Sequence, residues 1–365
     1  MYCSLHKKMV RCWWAIFLLS NVCASSSYSS SSCLNDDGTG VDQWLILKHP
    51  QSNSYFYYDS QEHDFHTSPW SLNDTHNGAL AQTVKQLWTS DNINYVLYND
   101  QPATATAHTN QMIIDDDAAA KYGHTKGLFA FLKNDNGISQ GFWLTHSIPL
   151  YPLGPQESAA YTGLGSNAYT YAQHLLCLTM SGETLNLLAK QWILNRPQIY
   201  EFHLTKESAL AYPNIQKLVD SEYSLRSVCE EKYDIQTHGG MPLFVFAKTA
   251  AWNNDLYAGC VTPFLQDNLF VESWIRGSAI GPVCPFNKRD TLDIQALKFP
   301  SFGVGWPETK DHSKWAITAQ LPFVCFGDIN RMTSQYSRGG GTVCFQDSIL
   351  HTLLKAAVTQ KDVCV

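Results

Sequence analysis

Apolar positions along this chain cluster in short runs bounded by turn residues, with few long helical stripes. WLILKHP (44–50) and YFYYD (55–59) are aromatic and aliphatic runs around a short polar turn, which predicts two strands. NYVLY (94–98) predicts a third. GLFAFLK (127–133) and GFWLTHS (141–147) flank Asn-Asp-Asn-Gly, a strong hairpin signal, because Asn and Gly tolerate the positive φ of a tight turn. Residues 168–193 carry apolar side chains at helical spacing and predict helices broken at Gly182 and stopped by Arg196-Pro197. A second series follows: strand PLFVFAK (242–248), a helix around 256–266, then strands LFVESWI (269–275), WAITA (315–319) and FVCFGD (323–328). The alternation predicts an α/β or α+β chain built on mixed sheet.

Composition narrows the class. The chain has 365 residues, 44% hydrophobic and 16% charged, which excludes a disordered polymer or a rod. It has room for one large or two ordinary domains. A formal charge of -7 is not that of a basic nucleic-acid binder. Lys7, Lys8 and Arg11 precede the apolar run 12–24, so residues 1–24 read as a cleaved secretory signal and 25–33 as a serine-rich spacer. No later run is long and apolar enough for a membrane span, so the mature chain is expected in solution. Removing the signal takes three basic residues and no acidic one, which shifts the charge from -7 to -10. Below about pH 6 exposed histidines charge, so acidification would bring the surface towards balance. The signal also takes Cys3, Cys12 and Cys23; eight cysteines remain, an even number that favours disulfides in an exported chain. With no CxxC pair among them, no metal site is expected. Asn73-Asp74-Thr75 is a glycosylation sequon.

The two halves of the chain correspond. Gly123-His124-Thr125-Lys126 and Asp311-His312-Ser313-Lys314 each open a strand that turns and returns, the first to His146-Ser147, the second to Gly327-Asp328-Ile329-Asn330. Symmetric hairpins would set His124 opposite His146 and His312 opposite Asn330. In an extended strand residues i and i+2 share a face, so an HxK triplet aims an imidazole and an ammonium side by side. That pairing suits a phosphodiester: imidazole attacks phosphorus, lysines hold the anionic oxygens, and a second histidine protonates the leaving alkoxide and then activates water. No cofactor is needed. One triplet is weak evidence, since His6-Lys7-Lys8 in the signal also qualifies. Two, each opening a similar hairpin, are not. Trp143 and Trp315 read as core, and Gly339–Gly341 as a tight turn.

HxK followed by Gly-Ser/Asp-x-Asn resembles the phospholipase D superfamily. The longer strings GHTKG (123–127), GFWLTHSIP (141–149), NDLYAG (254–259), DHSKW (311–315), CFGDINR (325–331) and RGGGTVC (338–344) resemble deoxyribonuclease II across roughly residues 40–350. The resemblance implies a pseudo-dimer of two phospholipase D-like halves, 34–212 and 213–365, sharing one site at their junction. It implies acid, metal-independent DNA hydrolysis to 3′-phosphates through a phosphohistidine, in the lysosome or an extracellular fluid, with a homodimer compatible. His124, Lys126, His312 and Lys314 match the two family motifs, His146 a further required histidine, and Asn330 and Asp328 the turn supporting the second histidine. Superfamily habit favours His124 as nucleophile. The resemblance pairs Cys33–Cys177, Cys284–Cys364 and Cys325–Cys344, leaving Cys229 and Cys260 to each other. The superfamily aspartate five residues after HxK is missing: Phe131 and Ala319 stand there. The alternatives are a phospholipase D-type diesterase and a secreted, catalytically silent DNA-binding homologue.

Overall fold

The computed structural model describes residues 31–104, 121–133, 137 and 139–364. The signal, residues 25–30 of the spacer and most of the Asn-Asp-Asn-Gly turn lie outside them. A two-stranded ribbon, β1 (Cys33–Leu34) and β2 (Gly40–Val41), leads in. Eight strands form the first sheet: β3 (Gln43–Lys48), β4 (Tyr55–Asp59), β5 (His66–Thr67), β6 (Asn94–Asn99), β7 (Lys126–Lys133), β8 (Ser139–His146), β9 (Gln173–Ser181) and β10 (Ile199–His203), in the order β10-β6-β7-β8-β9-β3-β4-β5. The second sheet holds β11 (Cys229–Gln236), β12 (Pro242–Lys248), β13 (Leu269–Glu272), β14 (Thr291–Phe299), β15 (Val304–Pro307), β16 (Trp315–Thr318), β17 (Phe323–Gly327) and β18 (Gly340–Gln346), in the order β11-β12-β18-β17-β16-β13-β14-β15, with β19 (Val358–Lys361) on β14. The run β6-β7-β8-β9-β3-β4 is thus matched by β13-β16-β17-β18-β12-β11. This is a mixed α/β fold of two β-rich halves.

Burial follows the pleat. In β3, Leu45 and Leu47 point into a core shared by both sheets, while Trp44 and Ile46 point into an outer core under the helix Ala79–Val84. The shared core also takes Leu178 of β9, Val245 of β12, Phe326 of β17, and Leu185, Leu188 and Trp192 of the helix Gly182–Asn195. A third cluster backs the second sheet around Tyr257, Leu269 and Cys325. Trp143 and Trp315 are both buried in the shared core. Sheets covered on both faces explain why so many strands read as unbroken apolar runs.

Three expectations need correction. Residues 173–181 form β9, and Gly182 opens the following helix under a Ser181 cap, so it does not break one. The run QHLLCLTM is a central strand, whose two-sided burial imitates helical spacing. The helix expected around 256–266 is present, as a π-helical stretch Tyr257–Val261 continued by the α-helical turn Thr262–Leu265. Gly339–Gly341 starts β18 and is no tight turn. The registers also slip: Gly127 faces Thr145 and Trp315 faces Phe326, so Lys126, rather than His124, comes level with His146, and His312 with Ile329. Strands apolar on both faces do not fix their register by side-chain pattern.

Disulfides join Cys33–Cys177, Cys229–Cys260, Cys284–Cys364 and Cys325–Cys344. The first ties residues 144 apart, restricting the unfolded chain most. No helix of the described residues is long and apolar enough to cross a membrane.

Candidate active site

Each HxK segment is stitched to the opposite half. The His124 amide donates to the Gly339 carbonyl at 2.8 Å, and the His312 amide to the Ala172 carbonyl at 2.9 Å. Gly123 and Gly339 permit this approach, because a Cβ on either would overlap the Asn195 carbonyl oxygen. The junction opens into one cleft of about 270 Å³, lined by His124, Lys126, His312, Lys314, Asn330 and Arg276 among others. The two predicted triplets therefore face a common space.

The registers carry one half onto the other. Asn99 is level with Lys126 in β6–β7, and extending β13–β16 sets Ser273 level with Lys314, so the next residues, Asp100 and Trp274, are equivalent. Lys48 is level with Gln173 and Lys248 with Gly340, so Tyr171 and Arg338, each two residues earlier in its strand approach, are equivalent too. These two pairs of positions flank the two histidines.

Around His124 they are ionic. Nδ1 donates to the Asp328 carbonyl at 2.6 Å, so a backbone oxygen of the other half orients this ring in place of the missing superfamily carboxylate. The Asp100 carboxylate lies 3.8 Å from Nε2, pairs with Lys126, and accepts from Arg338 at 3.0 Å. Burial pushes the Asp100 carboxyl up, but Lys126, His124 and Arg338 outweigh it and hold the group well below the usual carboxylate range. Burial and Lys126 push His124 down, against Asp100.

Around His312 they are aromatic. Tyr171 stacks on the ring with centroids 3.9 Å apart, and Trp274 packs at 4.0 Å. Nε2 is buried with no hydrogen-bond partner. Burial, then Lys314 and Lys126, push this imidazole down to about 2.

The remaining predicted residues sit as follows. His146 is buried behind the lining; its Nδ1 accepts from the Ile148 amide at 3.2 Å, Nε2 has no partner, and burial pushes it down to about 3. Asn330 lines the cleft with its side-chain Oδ1 unpartnered. Asp328 serves the first histidine through its carbonyl, while its carboxylate accepts from the Gly341 amide at 3.3 Å. Asn73 is exposed, with its side-chain oxygen accepting from Leu164.

Charge in the cleft titrates near neutrality. Burial and Lys126 push Lys314 down to about 7, and burial pushes Asp328 up to about 7. As pH falls through that region Lys314 gains charge and Asp328, buried beside the cleft, loses its own. Burial pushes the imidazoles of His124, His146 and His312 down.

Sequence reasoning missed Asp100, Tyr171, His174, Trp274 and Arg338. His174 is fully buried, and its Nδ1 accepts from the Lys314 amide at 3.1 Å. It also missed two fully buried lysines. Lys48 donates to the carbonyls of His49, Ser52 and Tyr169; Lys248 donates to those of Gln335, Tyr336 and Arg338. They are equivalent, and they hold the segments carrying Tyr171 and Arg338. The only available signal was position: Asp100 and Trp274 each follow an apolar strand that neighbours an HxK strand.

Comparison with known proteins agrees with this geometry. The family model described as Deoxyribonuclease II matches residues 32–364. Deoxyribonuclease-2 of Caenorhabditis elegans is 32% identical, over 95% of this chain and 97% of its own. A putative deoxyribonuclease-2 of Burkholderia thailandensis is 35% identical, over 86% and 88%. Deoxyribonuclease-2-alpha of Sus scrofa is 30% identical, over 91% and 90%. With both HxK triplets in one cleft and the match running from the first disulfide cysteine to the last, this chain belongs to the deoxyribonuclease II family.

Proposed function

We propose that the protein is an acid, metal-independent endonuclease that cuts DNA to 3′-phosphate ends through a phosphohistidine. The observation that carries this reading is the meeting of two HxK triplets from separate halves in one cleft. Lys126 and Lys314 supply the positive charge for the phosphate oxygens, and Asn330 adds a polar contact.

The unlike surroundings of the histidines favour a division of labour opposite to superfamily habit. Among the described residues no carboxylate pairs with His312, which burial keeps neutral, so its Nε2 lone pair attacks phosphorus. His124 lies beside ionised Asp100. When the substrate phosphate offsets the two lysines, Asp100 favours the imidazolium, and Nε2–H of His124 protonates the departing 5′ oxygen as the P–O5′ bond breaks. Neutral His124 then takes a proton from water. The hydroxide attacks phosphorus, the P–N bond breaks, and His312 and a 3′-phosphate strand are released. His146 and His174 pack behind the lysines as supports. Positive charge that grows as pH falls through 7 suits an anionic polymer in an acidic lumen, lysosomal or extracellular.

Plasmid nicking at pH 5 with a chelator tests this. Wild type should nick and leave ends that polymerase extends only after phosphatase treatment. Folded His124→Ala and His312→Ala should not nick. Full activity in either variant, or loss of wild-type activity to chelator, would refute the mechanism.

A further inference from the structure

We propose that a second cavity, behind the His124 edge of the cleft, is a phosphate subsite for a flanking position of the polynucleotide strand; this rests on the nuclease reading above. The cavity is about 140 Å³, and Gly123 and Gly339 line it. Lys121, Arg196 and Arg226 also line it, and among the described residues no carboxylate does.

Arg196 is the anchor. It ends the helix Gly182–Asn195 in the left-handed region at φ 56°, and its carbonyl accepts from the Gly123 amide at 2.8 Å. Its guanidinium lies 6.0 Å from the Tyr122 ring centroid and 5.9 Å from that of Tyr223. Nε is buried with no hydrogen-bond partner, and among the described residues no acid pairs with this side chain. A half-buried cation held by aromatic faces, with a buried donor left over, is costly unless an anion arrives from outside. Arg226 does pair with Glu230, at an exposed site where such a bridge is weak. Lys121 sits over Tyr122.

Phosphate is the chemistry that fits. A guanidinium fork matches its planar pairs of oxygens, and a neighbouring lysine adds a point charge. Position fits as well. Gly123 is the residue before His124, a backbone step of about 3.8 Å, and strand charges recur about every 3.4 Å of axis. The phosphate could belong to an adjoining nucleotide or to a released phosphate-bearing product, and experiment separates the two.

The test uses the full mature chain with Arg196→Asn, since Asn tolerates the left-handed backbone and keeps the carbonyl bond to Gly123. Arg226→Ala, at an exposed position, serves as a second variant that does not touch the helix cap. Binding of a fluorescent 16-mer duplex is titrated at several salt concentrations at pH 5, and inorganic phosphate is tested as an inhibitor of nicking. For a strand subsite, Arg196→Asn should raise the duplex Kd about ten-fold and flatten the salt slope by about 0.9, with Arg226→Ala weaker in the same direction. If Kd and slope stay at wild-type values but phosphate no longer inhibits, the site binds phosphate from the product and the strand assignment falls. Unchanged Kd, slope and phosphate inhibition in both variants overturn the subsite altogether. Wild type that binds duplex with this salt slope but never nicks defeats the nuclease reading alone.

Discussion

Around the first-half HxK histidine the two flanking positions hold Asp100 and, from the other half, Arg338; around the second-half histidine the equivalent positions hold Trp274 and, from the other half, Tyr171. Much beneath them is alike: six corresponding strands, a backbone hydrogen bond from each HxK histidine amide across the junction, and one buried lysine gripping three carbonyls on each side. The shared parts set where two imidazoles meet. The unlike parts decide what each imidazole can do. A carboxylate beside a histidine stabilises its charged form, while packed aromatic rings strip water away and keep it neutral. In the proposed mechanism a duplicated frame supplies an acid and a nucleophile by changing two side chains per half.

The sharpest way to break the comparison is leaving-group chemistry. With natural DNA, His312→Ala and His124→Ala should each lower kcat by roughly a thousand-fold or more. With a nitrophenyl ester, whose leaving group needs no proton, His124→Ala should recover at least ten-fold relative to DNA and His312→Ala should not. Equal recovery in both would erase the distinction. Next in size, Asp100→Asn should cut kcat on DNA by roughly a hundred-fold, while Trp274→Phe, which keeps an apolar ring, should stay within a few-fold; steady-state kinetics at pH 5 compares them.

The pH response sharpens the account. Lys314 gains its charge, and Asp328 loses its own, as pH falls through about 7. Affinity for DNA should therefore be high at pH 5 to 6 and fall between 6 and 8. Lys314→Arg should carry the falling limb upward, and Asp328→Asn should retain more binding at pH 8; duplex titrations across pH measure both. Wild-type affinity that is flat from pH 5 to 8 would remove Lys314 and Asp328 from the acid response. The smallest effects concern the frame. Lys48→Met and Lys248→Met each leave three carbonyls without a donor and should each cost about 2 kcal/mol or more in denaturant unfolding.

Much of this was legible in the sequence. Strands 43–48, 55–59, 94–99 and 126–133 announced themselves by apolar runs, and the HxK spacing brought both triplets forward because strand period 2 makes His and Lys neighbours. β9 was not legible, because an apolar run buried on both faces also fits helical spacing. The flanking groups were hidden for another reason. Asp100 and Arg338 lie 238 residues apart and meet only because Gly123 and Gly339 let the halves touch, so no local pattern links them. The buried lysines were hidden because lysine is ordinarily a surface residue, and only three inward-facing carbonyls make its burial stable.

The division of labour comes down to which nitrogen carries the phosphoryl group. Rapid acid-free quenching of the reaction at pH 5, followed by mass spectrometry of the digested protein, reads this directly. The phosphoryl adduct should sit on the peptide containing His312 and build up in His124→Ala supplied with the nitrophenyl ester. An adduct on the His124 peptide, or turnover with no adduct on either, would contradict it.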